Sequence, residues 1–444
     1  MKYLLKNKLI HLSFLICLVI FFIISCAAHS NLQPKENKLV YLVSEHHRDP
    51  EILTVRLTVP ETVANGNTEL FTRGMHLGVK SQIFNVRCDG KIVRQEADHK
   101  WKIPQGCREI FWEVKLISSE QSLLEISKQQ SFIIKSDPPW ILLSEFSFLP
   151  RVEFEDYPSV IEFDPSLEKR IVSVLAKDDK NRRILPSVNQ APVFFAIGLD
   201  ARTYNSPSGI SLNYLVDEKR VIETIDAFQP KHIKSIEYMR SLLGYPDDKD
   251  FKLTVVWLGL PKKGPIGGAA GFRTFLINYF FIDGEMLKDR FIWSLMVAFH
   301  EQFHVLYYPE VSQPVWVGES LAQYYAIKAL EKVGFDPKLL KPIKAHFIQP
   351  LRKIEMGLKE ANHKFKAKND MSVYHLFYDQ GASFWFELDK LIIDSTQGKK
   401  SLDDFIGELS RMNFAEDGNL PPAFINTLNS NKINGIESLI GKYL

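Results

Sequence analysis

From Leu39 to about Ser136, apolar and polar residues alternate in short runs: Val40 to Val43, Ile52 to Val59, Gln82 to Val86, Lys91 to Gln95 and Glu109 to Ile117. Pro, Asn-Gly and Asp-Gly signals separate them. A period of two broken by turn residues marks strands with one buried face, which predicts a sandwich-like antiparallel β domain over residues 39–150. After Pro138-Pro139 comes a transitional stretch, and the pattern changes near Pro192. Val193 to Leu199, Leu253 to Leu260 and Phe272 to Ile282 are predicted strands, while Glu218 to Leu243 and Asp289 to Tyr307 are predicted helices. Beyond Trp316 nearly everything is helical in period, with breaks at Gly334, Pro342, Asn369 and Gly398. The expected class is α+β: the β domain, a mixed sheet with its helices over 151–330, and a C-terminal helical lobe over 331–444, with a cleft between the last two.

The first residues follow a different rule. Lys2, Lys6 and Lys8 precede an apolar run from Leu9 to Ile24, which ends in Ile23-Ile24-Ser25-Cys26. A charged start, an apolar run and a small residue before the end are the parts of a secretory signal. The final four residues resemble a bacterial lipobox, which would make residues 1–25 a lipoprotein signal peptide and Cys26 the lipidated first residue. An uncleaved anchor helix is the other reading, for which the run is slightly short. Residues 26–38 are polar and read as a tether. Both readings put the rest of the chain outside the cytoplasm. The resemblance implies a lipid-anchored envelope protein, and the lack of Asp after Cys26 points to the outer membrane if the envelope has two.

Composition narrows the choice. A net charge of +2 over 444 residues, without a long basic block, gives no reason to expect a nucleic-acid partner. Hydrophobic content of 45% with 12% aromatic residues is that of a packed protein. Once the signal is removed and Cys26 carries the lipid, Cys88 and Cys107 are the free pair, and an oxidising compartment would join them in a structural disulfide.

The sharpest chemistry lies in His300-Glu301-Gln302-Phe303-His304. Positions i and i+4 of a helix share a face, so both imidazoles can reach one ion, with Glu301 beside them to take a proton from water. Phe291, Ile292, Trp293, Leu295, Met296, Val297, Ala298, Phe299, Phe303, Val305 and Leu306 make this helix apolar nearly all round, hence buried. Two imidazoles and a carboxylate in such a setting need a partner, and zinc meets that need. Glu319, the lone acid early in the next predicted helix, can supply a third ligand and leave a fourth position open, as catalytic zinc sites do. Taken by itself, Glu319 would equally be an acid favoured by the helix dipole. Tyr378, and more weakly Tyr374 and His375, could donate to a developing oxyanion, although each also suits a packed core.

The order His300-Glu301-x-x-His304, Trp316-x-x-Glu319-Ser320-x-Ala322-x-Tyr324, Tyr378-x-x-Gly381-Ala382 resembles that of gluzincin, or thermolysin-like, zinc metallopeptidases. It is most similar to the glycyl-aminopeptidase family, here without its PDZ domain. The stretch from Leu388 to Phe405 and the β-rich N-terminal region resemble that family as well. The resemblance implies a thermolysin-like catalytic domain with zinc on His300, His304 and Glu319, Glu301 as general base and acid, and Tyr378 as oxyanion donor. Aminopeptidases of this kind hold the substrate amine with a Glu on a Gly-rich strand, but Gly267-Gly268-Ala269-Ala270-Gly271-Phe272-Arg273 has no acid. The expected function is peptide hydrolysis by zinc-activated water at the cell envelope. The alternative is a non-catalytic binding or assembly lipoprotein on the same fold.

Overall fold

The computed structural model describes residues 37–444 apart from 67, 74–80, 98, 119–125, 137–138, 153–156, 245–249, 308–312, 351–352, 355 and 416. The signal peptide, Cys26 and nearly all of the tether lie outside the described residues. Among the described residues no helix is long and apolar enough to cross a membrane.

The expected alternation sets the first core. Leu39, Tyr41 and Val43, Leu53, Val55 and Leu57, and Ile110, Trp112 and Val114 all point inward from strands Leu39–Glu45, Ile52–Thr58 and Glu109–Lys115. These strands occupy the middle of a seven-stranded sheet, beside two four-stranded sheets. Trp112 packs edge-on against Tyr41 at 6.2 Å, and its Nε1 donates to the carbonyl of Phe148. Cys88 and Cys107 are joined, with Cα atoms 5.8 Å apart.

Two features depart from the sequence reading. Strand Leu39–Glu45 pairs parallel with Ser159–Phe163, so this region is not purely antiparallel. Ser159–Phe163 also pairs with Arg183–Ile184, and Trp140–Ser144 pairs with Phe194–Ile197. A boundary at residue 150 would therefore cut through hydrogen-bonded sheet, and strand pairing carries the first unit to about Ile197. Edge pairing over such separations leaves no periodic trace in the chain.

The second unit is built on a mixed sheet. Strands Ile210–Val216, Phe251–Leu260 and Thr274–Ile282 run parallel in that order, flanked by antiparallel Asp200–Asn205 and, at the other edge, Gly268–Gly271. The predicted helix Glu218 to Leu243 is split into a 3₁₀ turn, Ile222–Asp226 and Gln229–Leu243. Pro230, which has no N–H to give, sits in the first turn of the last piece. Helix Phe291–Leu306 lies against Thr274–Ile282 and Gly268–Gly271.

Helix Val315–Lys332 follows and packs on both Phe291–Leu306 and His375–Ser395. The last contact is unusually close. A Cβ on Gly381 would sit 2.3 Å from Ser320 Cβ, so glycine is what allows the helices to touch there. Trp385 Nε1 donates to Ser320 Oγ at 2.6 Å across the same contact. The helix Pro337–Phe347 runs through Pro342, contrary to the expected break. Leu340 and Ile343 are buried on its inner side while Pro342 is exposed, so packing offsets the missing backbone bond.

Candidate metal centre

Helix Phe291–Leu306 is held from nearly every side. Phe291, Leu295, Ala298, Phe299 and Phe303 are buried, and Gln302 Nε2 donates to Ser235 Oγ at 2.7 Å. That anchorage fixes the direction of the two histidines on its remaining face. Helix Val315–Lys332 then brings Glu319 between them.

His300 Nε2 and His304 Nε2 are 3.0 Å apart, and each lies near Glu319 Oε2, at 3.3 and 3.4 Å. Ligands placed tetrahedrally about 2.0–2.1 Å from zinc are about 3.3 Å from one another. The three donor atoms therefore span one face of a zinc tetrahedron and leave its fourth corner open. His300 Nδ1 donates to Gln323 Oε1 at 3.1 Å, which leaves Nε2 bare for a metal. Gln323 is itself held, its Nε2 donating to Met296 Sδ.

The electrostatics tell the same story. Burial would push Glu319 upward, yet His304 and His300 hold its carboxyl well below the ordinary range. Burial would pull His304 down, but Glu319 and then Glu301 raise it. The carboxylate keeps its charge beside the two imidazoles. Tyr374 donates to the other Glu319 oxygen, Oε1, at 2.8 Å.

Glu301 faces the same space from the next position on the helix. Burial raises its pKa above the usual carboxylate range, against the opposing pull of His300 and His304. A Cβ on Gly268 would meet Glu301 Oε1 and Cγ at 2.5 Å, so the strand approaches this carboxylate as closely as glycine permits. The Ala270 N–H, also on that strand, donates to it. Tyr378 lies over His300 with ring centroids 5.5 Å apart and reaches Tyr374 and Glu319 with its hydroxyl. Burial holds Tyr378 protonated, as a hydrogen-bond donor must be.

His300, Glu301, His304, Glu319 and Tyr378 thus converge, as the motif spacing predicts. His375 does not join them, being exposed with its ring on the Ser372 carbonyl. Tyr374 meets the site through Glu319 rather than through the open corner. Sequence reasoning missed Gln323, whose signal was its position one turn beyond Glu319, and missed the walls of the cavity.

That cavity, of about 670 Å³, includes His300, Glu301, Gln323 and Tyr378. A second, of about 320 Å³, opens at His304 beside Gly271 and Arg273. Edge strand Gly268–Gly271 contributes Gly268 to the first and Gly271 to the second. Cys88 and Cys107 belong to the first core and take no part.

No family model matches the chain, and no curated protein does. Solved structures do. An aminopeptidase N family protein from Idiomarina loihiensis matches with a TM-score of 0.69 at 14% identity, over 91% of this chain and 76% of that one. Native yeast LTA4 hydrolase matches with a TM-score of 0.50 at 13% identity, over 93% of this chain and 69% of that one. At such identities the likeness is one of fold: N-terminal antiparallel sheets, a mixed sheet and a helical C-terminal region, in keeping with the expected α+β class.

Proposed function

We propose that this chain is a zinc-dependent peptidase, held at a bacterial envelope membrane by a lipid on Cys26 and acting on peptides outside the cytoplasm. The observation that carries the reading is the triangle of His300, His304 and Glu319 at zinc-ligand spacing, with Glu301 lining the same cavity as His300. Bound zinc would supply Lewis-acid polarisation and bring the pKa of water down to about 7.

The chain's own residues do the rest. Glu301, raised by burial, is suited to accept the proton of the attacking water and to pass it to the departing amine. Tyr378, kept protonated, donates to the oxygen on which negative charge develops. The edge strand Gly268–Gly271 offers its backbone to an extended substrate by β-addition.

A free substrate amine has no acid to meet on that strand. Gly271 could not carry one, because a Cβ there would lie 2.5 Å from the Pro192 carbonyl and 2.7 Å from the Phe194 ring. A second cavity opens at His304. Together these favour cleavage without a requirement for a free N-terminus. The test is zinc content and cleavage of a peptide library by the purified protein, with blocked and free amines side by side. One zinc per chain and cuts within blocked peptides are expected. Zinc without any cleavage would favour a binding lipoprotein, and no zinc would sink the site. Labelled fatty acid fed to cells should be incorporated into the protein and not into Cys26→Ser, and an unlabelled parent protein would refute lipid anchoring.

A further inference from the structure

The helix that bears His300 also builds the wall of the larger cavity. Trp293, Met296 and Val297 line it at seven, four and three positions before His300, one continuous helical stripe leading away from the reacting centre. Phe347 closes the wall from helix Pro337–Phe347, its ring 6.3 Å from that of Trp293, and Ile266 and Phe280 face it from the sheet side. Of the polar side chains by this wall, the Gln323 amide is already spent on His300 and Met296, and His346 lies edge-on to Trp293 with its side chain exposed. What remains is an apolar slot large enough for an aromatic side chain.

Charge is distributed along the cavity in one direction. Arg290, one turn before Trp293, and Lys263, on the loop before the edge strand, line its outer end, and both are exposed. Among the described lining residues the sole carboxylate is Glu301, at the inner end. Arg290 touches Asp289 at 3.9 Å, with both side chains in solvent, a contact too long and too wet to neutralise it. Ten helical residues from Arg290 to His300 span about 15 Å. An extended peptide covers that distance in about four residues.

On the basis of the peptidase reading, we infer that the Trp293–Phe347 wall selects a large aromatic or aliphatic residue beside the cut bond, and that Arg290 and Lys263 favour an acidic residue about four positions further out. The favoured substrate is thus a peptide with a bulky apolar residue at the centre and an acid toward one end, not a uniformly basic or small-residue chain.

Binding separates this from turnover. Fluorescent ten-residue peptides carrying Phe or Ala beside the central bond, and Glu or Lys four residues out, in both chain directions, are titrated against Glu301→Gln protein. In one direction Phe peptides should bind about tenfold more tightly than Ala peptides. Trp293→Leu and Phe347→Ala should each erase most of that preference, with folding checked by thermal melting. The double variant Arg290→Glu, Lys263→Glu should reverse a several-fold preference for Glu over Lys, and added salt should shrink it. Equal affinity for Phe and Ala peptides, or a preference that survives both wall variants, overturns the apolar half. Indifference to Glu against Lys overturns the charged half. Preferential binding with no cleavage by the unaltered protein upholds the subsite and defeats the hydrolytic reading, and cleavage with no preference does the reverse.

Discussion

Carboxylates are buried in both units, and the company they keep differs. In the first unit Glu145 meets Arg73 at 2.6 Å and Arg151 at 2.9 Å, and its other oxygen accepts the Val193 N–H at 2.9 Å. Both oxygens there face donors. In the second unit Glu319 also takes a donor, from Tyr374, but its Oε2 faces two imidazole nitrogens that themselves stand 3.0 Å apart. Three atoms able to ligate a metal, from two helices, crowd one point there. A third case, Asp217, is served by neutral donors, the Gly259 N–H at 2.8 Å and the Tyr279 hydroxyl at 2.9 Å. A satisfied cluster holds structure together, whereas converging acceptors describe a ligand set.

The contrast can be broken most forcefully at the two glutamates that differ in role. Glu301→Gln should lower peptide cleavage by about 10²- to 10⁴-fold while leaving zinc content and unfolding midpoint close to those of the parent. Loss of zinc along with activity would show that Glu301 is a ligand or a packing group instead. Glu145→Ala should do the opposite. It strands two buried guanidiniums and should cost about 3–5 kcal/mol in denaturant unfolding, with the zinc site unchanged in any protein that remains folded. A cost below about 1 kcal/mol would mean that the cluster is not the structural pin described.

Asp217 sharpens the comparison through pH. Burial pushes its pKa up to about 6 from an ordinary value of 3.8. An acid raised by folding favours the folded state below its unfolded pKa, and this advantage disappears as pH rises through about 6. Asp217→Asn removes that dependence. The variant should therefore gain about 2–3 kcal/mol relative to the parent between pH 4 and pH 7, whatever fixed cost the substitution carries. Parallel stability curves would rule out the raised acid. The smallest effect belongs to Tyr374→Phe, which deletes one donor to Glu319. Zinc affinity, measured by competition with a chelator, should fall about tenfold, and cleavage at saturating zinc should change little. Unchanged affinity would reduce Tyr374 to a packing residue.

Much of the site was legible in the chain because its parts are local. His300 and His304 share a helical face by spacing, and the apolar surroundings that make a metal necessary are written into Phe291–Leu306 itself. Glu319 and Tyr378 were reachable through motif order. The partners of those residues were less legible. Tyr374 and Tyr378 are both tyrosines one turn apart on a buried segment, and nothing in composition says that both reach Glu319 while Tyr378 also lies over His300 and lines the cavity. His375 had the chemistry of a candidate, yet its position on the helix turns it toward solvent.

By itself the sequence determined the alternating strands of the first core, the helix that presents the two histidines and the α+β class, since each rests on a period of two or about 3.6 within one short segment. The tertiary structure decided what depends on distant pieces meeting. Ser159–Phe163 returns to pair with Leu39–Glu45, which moves the domain limit to about residue 197. Pro192 and Phe194 close over Gly271, which leaves no room for a side chain at that position. Ser320 admits Gly381, which brings the tyrosine helix against the helix of Glu319. Such contacts have no period along the chain. They follow from packing, in which each surface is shaped by one that lies far away in sequence.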